Sequence, residues 1–381
     1  MTNLLHPLQA LRKGDWFKLI CGASFQNLPA IRSLTLSYAL AGADCIDVAA
    51  DPAVIFAAHE ALQAAGDFVN EARSRGFYTS SPWLMVSLND GEDPHFRKAE
   101  FDPAFCPLDC PRPCESICPA QAIAFNPDGF SGVIDSRCYG CGRCLPICPI
   151  ELIGTRSHRL TPAAIAPLVL TGVDAVEIHT QVGRLEDFAK LWEAIAPHLP
   201  NLKLIAISCP DGEDLIDYLK ALYKLISPLP CALIWQTDGR PMSGDIGDGA
   251  TRAAVKLGQK VLAANLPGYV QLAGGTNRHT VEKLRMQGLL RETGGRKAIA
   301  GIAYGSYARA LLSPVLDQLE DKSRHPPTLP IQTPNHSSTR LEDFPDLLWE
   351  CVHLAHTLIS PLKTMSSIPV TPKVLPLVGI T

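Results

Sequence analysis

The chain is short of charge, of long apolar runs and of catalytic signatures. Charged residues make up 19% of its 381 residues, below the roughly 25% usual for soluble chains. Neither sign dominates: 34 basic residues against 38 acidic ones leave a formal charge of −4. That balance gives no electrostatic footprint for nucleic acid or for an anionic membrane surface. No apolar stretch is long enough to suggest a transmembrane helix. The opening residues, MTNLLHPLQALRKGDWF, hold no uninterrupted apolar segment and no small-residue cleavage site. No secretory signal is read there, and a soluble cytoplasmic protein is expected. Also missing are a P-loop, a nucleophile elbow, an HExxH pair and a GxGxxG after the first strand. What remains is ordinary globular material, 46% apolar, and a length that suggests a large domain plus something smaller.

Cysteine is what the chain has in excess. There are 13, eight of them between Cys106 and Cys148, with Cys21, Cys45, Cys209, Cys231 and Cys351 scattered singly. With no sign of an oxidising compartment, clustered thiols point to metal binding rather than to disulfides.

Outside that block the sequence alternates short apolar runs with helical patterns. Strands are predicted at Phe17–Cys21, Cys45–Ala49, Trp83–Leu88, Ala175–His179, Leu202–Ser208, Ala232–Gln236, Tyr269–Leu272 and Ile299–Tyr304. They are β-branched and apolar with little alternation, as in strands buried on both faces of a parallel sheet. Eight β/α units predict an α/β fold of the (β/α)₈ barrel type, with a doubly wound open sheet as the competitor. The expected divisions are barrel strands one to three over 1–103, a ferredoxin-like insertion over 104–155 and barrel strands four to eight over 156–322. A Pro/Ser/Thr-rich linker over 323–344 and a C-terminal helix with a mobile tail over 345–381 complete the chain.

Residues 138–149, CYGCGRCLPICP, carry the C-x₂-C-x₂-C-x₃-C-P spacing of bacterial ferredoxins. Residues 106–119, CPLDCPRPCESICP, have x₃ at every step, so only their second half conforms. Between them, AIAFNPDGFSGVID reads as a β-hairpin turning at Asn126–Gly129. In such a two-cluster unit the fourth cysteine of each run serves the other cluster. Cys138, Cys141, Cys144 and Cys118 would then hold one [4Fe–4S] cluster, and Cys106, Cys110, Cys114 and Cys148 the other. The longer first loop leaves a [3Fe–4S] form open for the latter. Paired zinc–Cys₄ sites are the rival, disfavoured by the ferredoxin run and its hairpin-linked copy.

Three stretches resemble a known family: WFKLICGASFQNLPAIRSLTLSYALAGADCIDVAADPAV, CPLDCPRPCESICPA and GIAYGSYAR. They are similar to LdpA, the light-dependent period family of cyanobacterial iron–sulfur proteins in circadian-clock input, over about residues 1–320. The resemblance implies redox sensing that reports light intensity to the clock, and association with clock histidine kinases.

Functional groups of a (β/α)₈ barrel gather at the C-terminal ends of its strands. Asp47, Asp51, Asn89, Glu177, His179, Cys209, Gln236 and Asp238 are the candidates there. Gly274, Gly275, Thr276 and Asn277 after strand seven, with Gly305 and Ser306 after strand eight, could cradle an anion or simply make tight turns. The five scattered cysteines read mainly as small core residues, and His353 and His356 as a surface pair. Two functions are carried forward, a redox sensor or adaptor and an oxidoreductase passing electrons to a flavin or substrate at the barrel mouth, although no motif indicates a flavin. The insertion is expected to pack at that mouth, anchored by Phe96, Phe101, Leu152 and Ile153.

Overall fold

A computed structural model describes residues 7–22, 27–77, 81–91, 97–118, 121–126, 130–134, 137–138, 144–157, 162–239, 249–290, 298–324 and 340–363. Its centre is a closed parallel barrel of eight strands. In chain order these are β1 (Trp16–Gly22), β2 (Cys45–Ala49), β3 (Trp83–Asn89), then β8 (Ala175–His179), β9 (Leu204–Pro210), β10 (Ala232–Asp238), β11 (Tyr269–Ala273) and β12 (Gly301–Tyr304). Each pairs with the next, and β12 pairs with β1 through Trp16–Gly301 to Leu19–Tyr304. The insertion lies between β3 and β8 and forms two small sheets of its own.

The lack of alternation has the expected cause. Phe17, Leu19 and Cys21 of β1 point outward into the main core under the helices, while Trp16 points inward. Phe17 is stacked on both Tyr38 and Tyr304, with ring centroids 5.9 and 5.1 Å away. The covering helices are α2 (Leu28–Ala41), α3 (Pro52–Ser74), α6 (Pro162–Val169), α7 (Leu185–Ile195), α8 (Leu215–Ile226), α9 (Thr251–Ala263), α10 (Thr280–Met286) and α11 (Ser306–Arg324). Asp51 starts α3 by accepting the Ala53 N–H at 2.7 Å, with Pro52 at the first helical position, a cap that satisfies an otherwise orphaned amide. Before β1, α1 (Pro7–Lys13) sends Ala10 and Leu11 against Trp16, Trp83, Leu204 and Ile234, closing the N-terminal end of the barrel.

The C-terminal helix is part of the barrel's packing. α12 (Pro345–Lys363) lies against α2 and α11 and buries Leu348, Cys351, Val352, Ala355 and Ile359 in the main core. It runs through Pro361 to Lys363, since a proline in the last turn removes only one late hydrogen bond. Arg340 and Glu342, inside the expected linker, are ion-paired to Glu60 and Arg32, and α11 extends to Arg324. Residues 325–339 and the tail from 364 lie outside the described residues. The stack continues with Trp349 parallel to Phe77 and Arg75 over its ring at 4.4 Å. His356 packs edge-on against Phe77, while His353 is exposed.

At the foot of this helix Lys363 pairs with buried Asp44, which also accepts the Phe17 N–H. Burial still wins: it lifts the Asp44 carboxyl from its usual 3.8 to about 6, against the pull of Lys363 and that amide. The folded chain therefore holds this proton more tightly than the unfolded chain. The stabilisation is complete below about pH 4 and is lost as pH rises through about 6. Asp44→Asn should flatten that segment of the stability–pH curve in urea titrations. Leu348→Ala should cost about 2–5 kcal/mol in the same assay; a cost below about 0.5 kcal/mol would show that α12 is a peripheral appendage.

Candidate functional site

The insertion leaves from the C-terminal end of β3, so it starts on the barrel face where functional loops gather. Its stem is an antiparallel pair, β4 (Arg97–Glu100) with β7 (Gly154–Ser157). Beyond it lie α4 (Pro113–Ile117), the hairpin β5 (Ile123–Phe125) with β6 (Ser131–Val133), and α5 (Cys144–Ile147). The Asn126 N–H donates to the Phe130 carbonyl across the hairpin's end; most of its turn lies outside the described residues.

Seven of the eight predicted ligands are described; Cys141 lies outside the described residues. The two halves repeat one local geometry. In the first, the Gln121 N–H donates to the Cys118 carbonyl at 3.1 Å and the Ala122 N–H to Cys118 Sγ at 3.2 Å. In the second, the Glu151 N–H donates to the Cys148 carbonyl at 3.1 Å and the Leu152 N–H to Cys148 Sγ at 3.3 Å. Gln121 and Glu151, each three residues after its cysteine, share left-handed φ values of 48° and 52°. A non-glycine residue is seldom held there, and the strain is the same in both halves. α4 packs on α5, bringing Cys114 and Cys144 to equivalent buried positions.

The thiol of Cys106 hydrogen-bonds with that of Cys110 and lies within electrostatic reach of Cys148, while Cys114 feels both Cys148 and Cys106. Burial pushes the Cys106 and Cys114 thiols up. At Cys148 burial is outweighed by the amides of Ile150, Leu152, Ile153 and Glu151, and the thiol falls below its usual value. Backbone N–H groups aimed at sulfur stabilise thiolate and help set a cluster's potential. Thiols gathered in this way fit a thiolate-bound iron–sulfur cluster. On the other side, the Ala99 N–H of β4 donates to Cys138 Sγ at 3.4 Å.

The insertion meets the barrel at its mouth. Lys98 of β4, nearly buried, pairs with Asp51 at 3.5 Å where β2 leads into α3. The aromatic anchor expected to reach the barrel does otherwise: Phe101 packs on Phe125 inside the insertion, and Ile153 is buried in that same small core. Side chains of a unit this small are used up around its own ligands. Phe96 lies outside the described residues.

Below the mouth, the barrel axis carries charge. Lys18, fully buried, sits 3.0 Å from Asp47 Oδ2 and 3.0 Å from Gln236 Oε1 and also donates to Glu177 Oε2. Glu177 Oε1 accepts from Gln236 Nε2 at 2.7 Å and meets His179 Nε2 at 3.2 Å. Ser87 donates to Asp47, Gln271 to Gln236 Oε1, and Trp16 Nε1 to Gln271 Oε1. Burial alone would lower the Lys18 pKa, but Asp47 and Glu177 raise it well above normal, so the ammonium keeps its proton. Desolvation pushes the Asp47 carboxyl up.

Asp47, Glu177, His179 and Gln236, read as separate candidates, thus belong to one network. Lys18, Ser87, Gln271 and Trp16 are members sequence reasoning passed over; a lysine inside the apolar run WFKLIC was the available signal. Asn89 is exposed at the mouth, and Asp238 is half-buried there. Cys21, Cys209 and Cys351 are buried, with thiols pushed up by burial to about 12. Burial likewise lifts Cys231, half-buried against the core, to about 11 and Cys45, fully buried, well above its normal value.

The glycine-rich turns are used within the fold. Gly274 and Gly275 have φ of 63° and 92°, and a Cβ on Gly275 would lie 2.8 Å from the Ala250 carbonyl oxygen. Thr276 donates to the Ala303 carbonyl, Asn277 Oδ1 accepts the His279 N–H, and Ser306 Oγ accepts from Arg309 near Gly305. Replacing Lys18 by Met should destabilise the barrel by about 3–5 kcal/mol in urea unfolding, because two carboxylates would remain buried without their cation. Adding Asp47→Asn and Glu177→Gln should recover a good part of that loss. A cost of Lys18→Met below about 1 kcal/mol would mean the network is wet.

Sequence profiles of two domains match the chain: the LdpA Fe–S cluster-binding domain over residues 106–159 and the Light dependent period A C-terminal domain over 168–361. Light dependent period A of Synechococcus elongatus is 50% identical, with 94% of each chain covered. An uncharacterised ferredoxin of Methanocaldococcus jannaschii is 35% identical over 18% of this chain and 53% of its own. Among solved structures, a putative fructose-1,6-bisphosphate aldolase of Coccidioides immitis aligns over 95% of this chain and 94% of its own with a TM-score of 0.39 and 11% identity. A fructose-bisphosphate aldolase of Campylobacter jejuni aligns over 94% and 90% with a TM-score of 0.39 and 9% identity.

Proposed function

The chain belongs to the Light dependent period A family and carries its iron–sulfur domain, and we propose that it works as a redox sensor and adaptor in clock input. The eight clustered cysteines hold two [4Fe–4S] clusters, Cys138, Cys141, Cys144 and Cys118 around one and Cys106, Cys110, Cys114 and Cys148 around the other. The observation that supports this most is the repeated turn after Cys118 and Cys148, which gives each half the same sulfur-directed amide. The crossover is part of this reading: Cys148 lies among the thiols of the first block, and the matching turn at Cys118 supports its counterpart role toward the second.

The clusters supply reversible one-electron chemistry; the chain supplies what feels it. Each electron changes local charge by one unit in a partly desolvated site, which alters nearby contacts far more than the same change in water would. The first-block thiols lie near the surface of the insertion, where Phe105, Leu108 and Phe130 are exposed. Such a surface suits contact with the clock-input histidine kinases that the family resemblance implies. A cytoplasmic location goes with this role, and no helix among the described residues is long and apolar enough to cross a membrane.

An oxidoreductase is the second reading, favoured by the charged network under the mouth. Anaerobic potentiometric EPR separates the two. A sensor should hold about eight irons per chain, without stoichiometric flavin. Its signals should titrate inside the cellular thiol range, roughly −320 to −200 mV. Colourless protein with stoichiometric zinc would end the iron–sulfur reading, and a bound flavin or substrate-dependent bleaching would favour the enzyme.

A further inference from the structure

The cluster reading leaves the long loops of the first cysteine run without a task. Residues 107–109 and 111–113 each hold one residue more than the ferredoxin spacing needs. The first loop is a tight turn, in which the Cys110 N–H donates to the Pro107 carbonyl at 3.1 Å. Leu108 stands at its corner, 96% exposed. The second loop holds Arg112 at a φ of 51°, with its guanidinium 4.3 Å over the Phe125 ring. Proline at 107, 111 and 113 fixes φ along both loops, so Leu108 is offered on a stiff backbone. A side chain presented in this way loses little conformational freedom on docking.

Leu108 belongs to a larger apolar face. Phe105 precedes Cys106 and is 71% exposed, and exposed Ile147 and Ile150 flank Cys148. Cys106 hydrogen-bonds with Cys110 and lies within electrostatic reach of Cys148, so the four side chains surround the same thiols. Their exposed area is on the order of a few hundred Å², at the upper end of what a soluble monomer leaves open. A stable interface takes roughly 800 Å² from each partner, whereas transient redox encounters manage with less. Size and position both point to brief contact with something that exchanges electrons.

Charge selects the partner. Among the described side chains of the first run and its flanks, Asp102, Asp109, Glu115 and Glu151 are exposed, and Arg112 is half-buried against Phe125. The nearest other described cations face elsewhere: Lys98 pairs with Asp51 on the barrel side, and Arg137, next to Cys138, donates to the Gln121 carbonyl. A second copy of the chain would set these carboxylates against themselves across a two-fold axis. We infer that this face docks a small basic one-electron carrier protein, whose cofactor edge lies in an apolar patch ringed by lysines. The inference rests on the iron–sulfur reading above. One electron passes between the carrier's cofactor and the first-run cluster, one being oxidised as the other is reduced, with no bond made and no proton moved. Because Phe105 and Leu108 are also offered to the kinases, a docked carrier would exclude a kinase until it leaves.

Cytochrome c, which has such a surface, is the probe. Reduced ¹⁵N-labelled cytochrome c is titrated with the oxidised, cluster-loaded chain, a pairing in which no electron moves, and its amide shifts report binding. The shifts should map to the haem edge and fade as salt rises. Succinylated cytochrome c, the same protein with its lysines made acidic, should not bind. Leu108→Ser and Asp109→Lys should each weaken binding about tenfold, with iron content and EPR unchanged. The reduced variants should also pass electrons to oxidised cytochrome c more slowly, while ferricyanide, which needs no docking face, is reduced at the unaltered rate. If Leu108→Ser loses iron, Phe105→Ser and Asp109→Lys decide. No shift with cytochrome c, unchanged affinity in the variants, or equal binding of the succinylated protein would each overturn the inference. So would a chain dimer in sedimentation that Leu108→Ser dissociates, since the face would then be a self-contact. Iron content and EPR are read first on the same samples. A chain without clusters defeats the underlying reading, whereas a two-cluster chain that does not bind defeats the inference alone.

Discussion

A charge on the axis of a closed barrel must be paired on that axis, and Lys18 imposes this condition on the rest of the structure. Its partners come from β2, β8 and β10, with Met85 Sδ of β3 at 3.4 Å. Five of the eight strands are thereby tied to a single ammonium group. A slip of one residue in any of them would turn its partner outward under a helix, leaving a buried charge uncompensated at a cost of several kcal/mol. Apolar packing alone tolerates substitutions of similar volume; a buried charge does not tolerate a wrong register. The network defines the barrel's register from inside while the helices stabilise it from outside.

The insertion is built on a different principle. Its core consists of Ala99, Ala122, Ile123 and Ile153 together with Cys114, Cys138 and Cys144, so the proposed cluster ligands are a large part of what it buries. A unit of this size cannot offset its conformational entropy by apolar burial alone, and metal–thiolate bonds supply the difference. On the proposed reading, denaturant should act first on the barrel, and oxygen and chelators first on the insertion. This separation explains why Phe101 and Ile153 pack inward and why the described ion pair to the barrel, Lys98 with Asp51, is polar.

Much of this was legible in the sequence because it rests on local pattern. Strands buried on both faces announce themselves as apolar runs, and all eight barrel strands fall where those runs stand. The cysteine spacing marks the iron–sulfur domain in the same way. Features that depend on tertiary pairing were harder to see. Lys18 sits in a strand whose other residues are apolar, and nothing local shows that Asp47 and Glu177 will face it across the barrel. The matched left-handed turns at Gln121 and Glu151 are carried by residues that ordinarily avoid that conformation, so no glycine marked them. α12 looked detached because a Pro- and Ser-rich stretch precedes it, although its apolar face is wide enough to require burial against something.

The two units meet through two neighbouring residues of one strand. On β4, the Lys98 side chain reaches down to Asp51 at the barrel rim, while the backbone N–H of Ala99 donates to Cys138 Sγ. A hydrogen bond to a cluster sulfur strengthens as the sulfur gains electron density. Any adjustment of β4 that follows has to act on a nearly buried ion pair, where electrostatic terms are weakly screened. Asp51 also caps α3 and follows directly on the strand that carries Asp47. The connection between Cys138 and the barrel axis thus runs through β4, the start of α3 and β2. On the proposed reading, a redox change at Cys138 would reach the barrel first at Asp51, through the strand that carries Ala99 and Lys98.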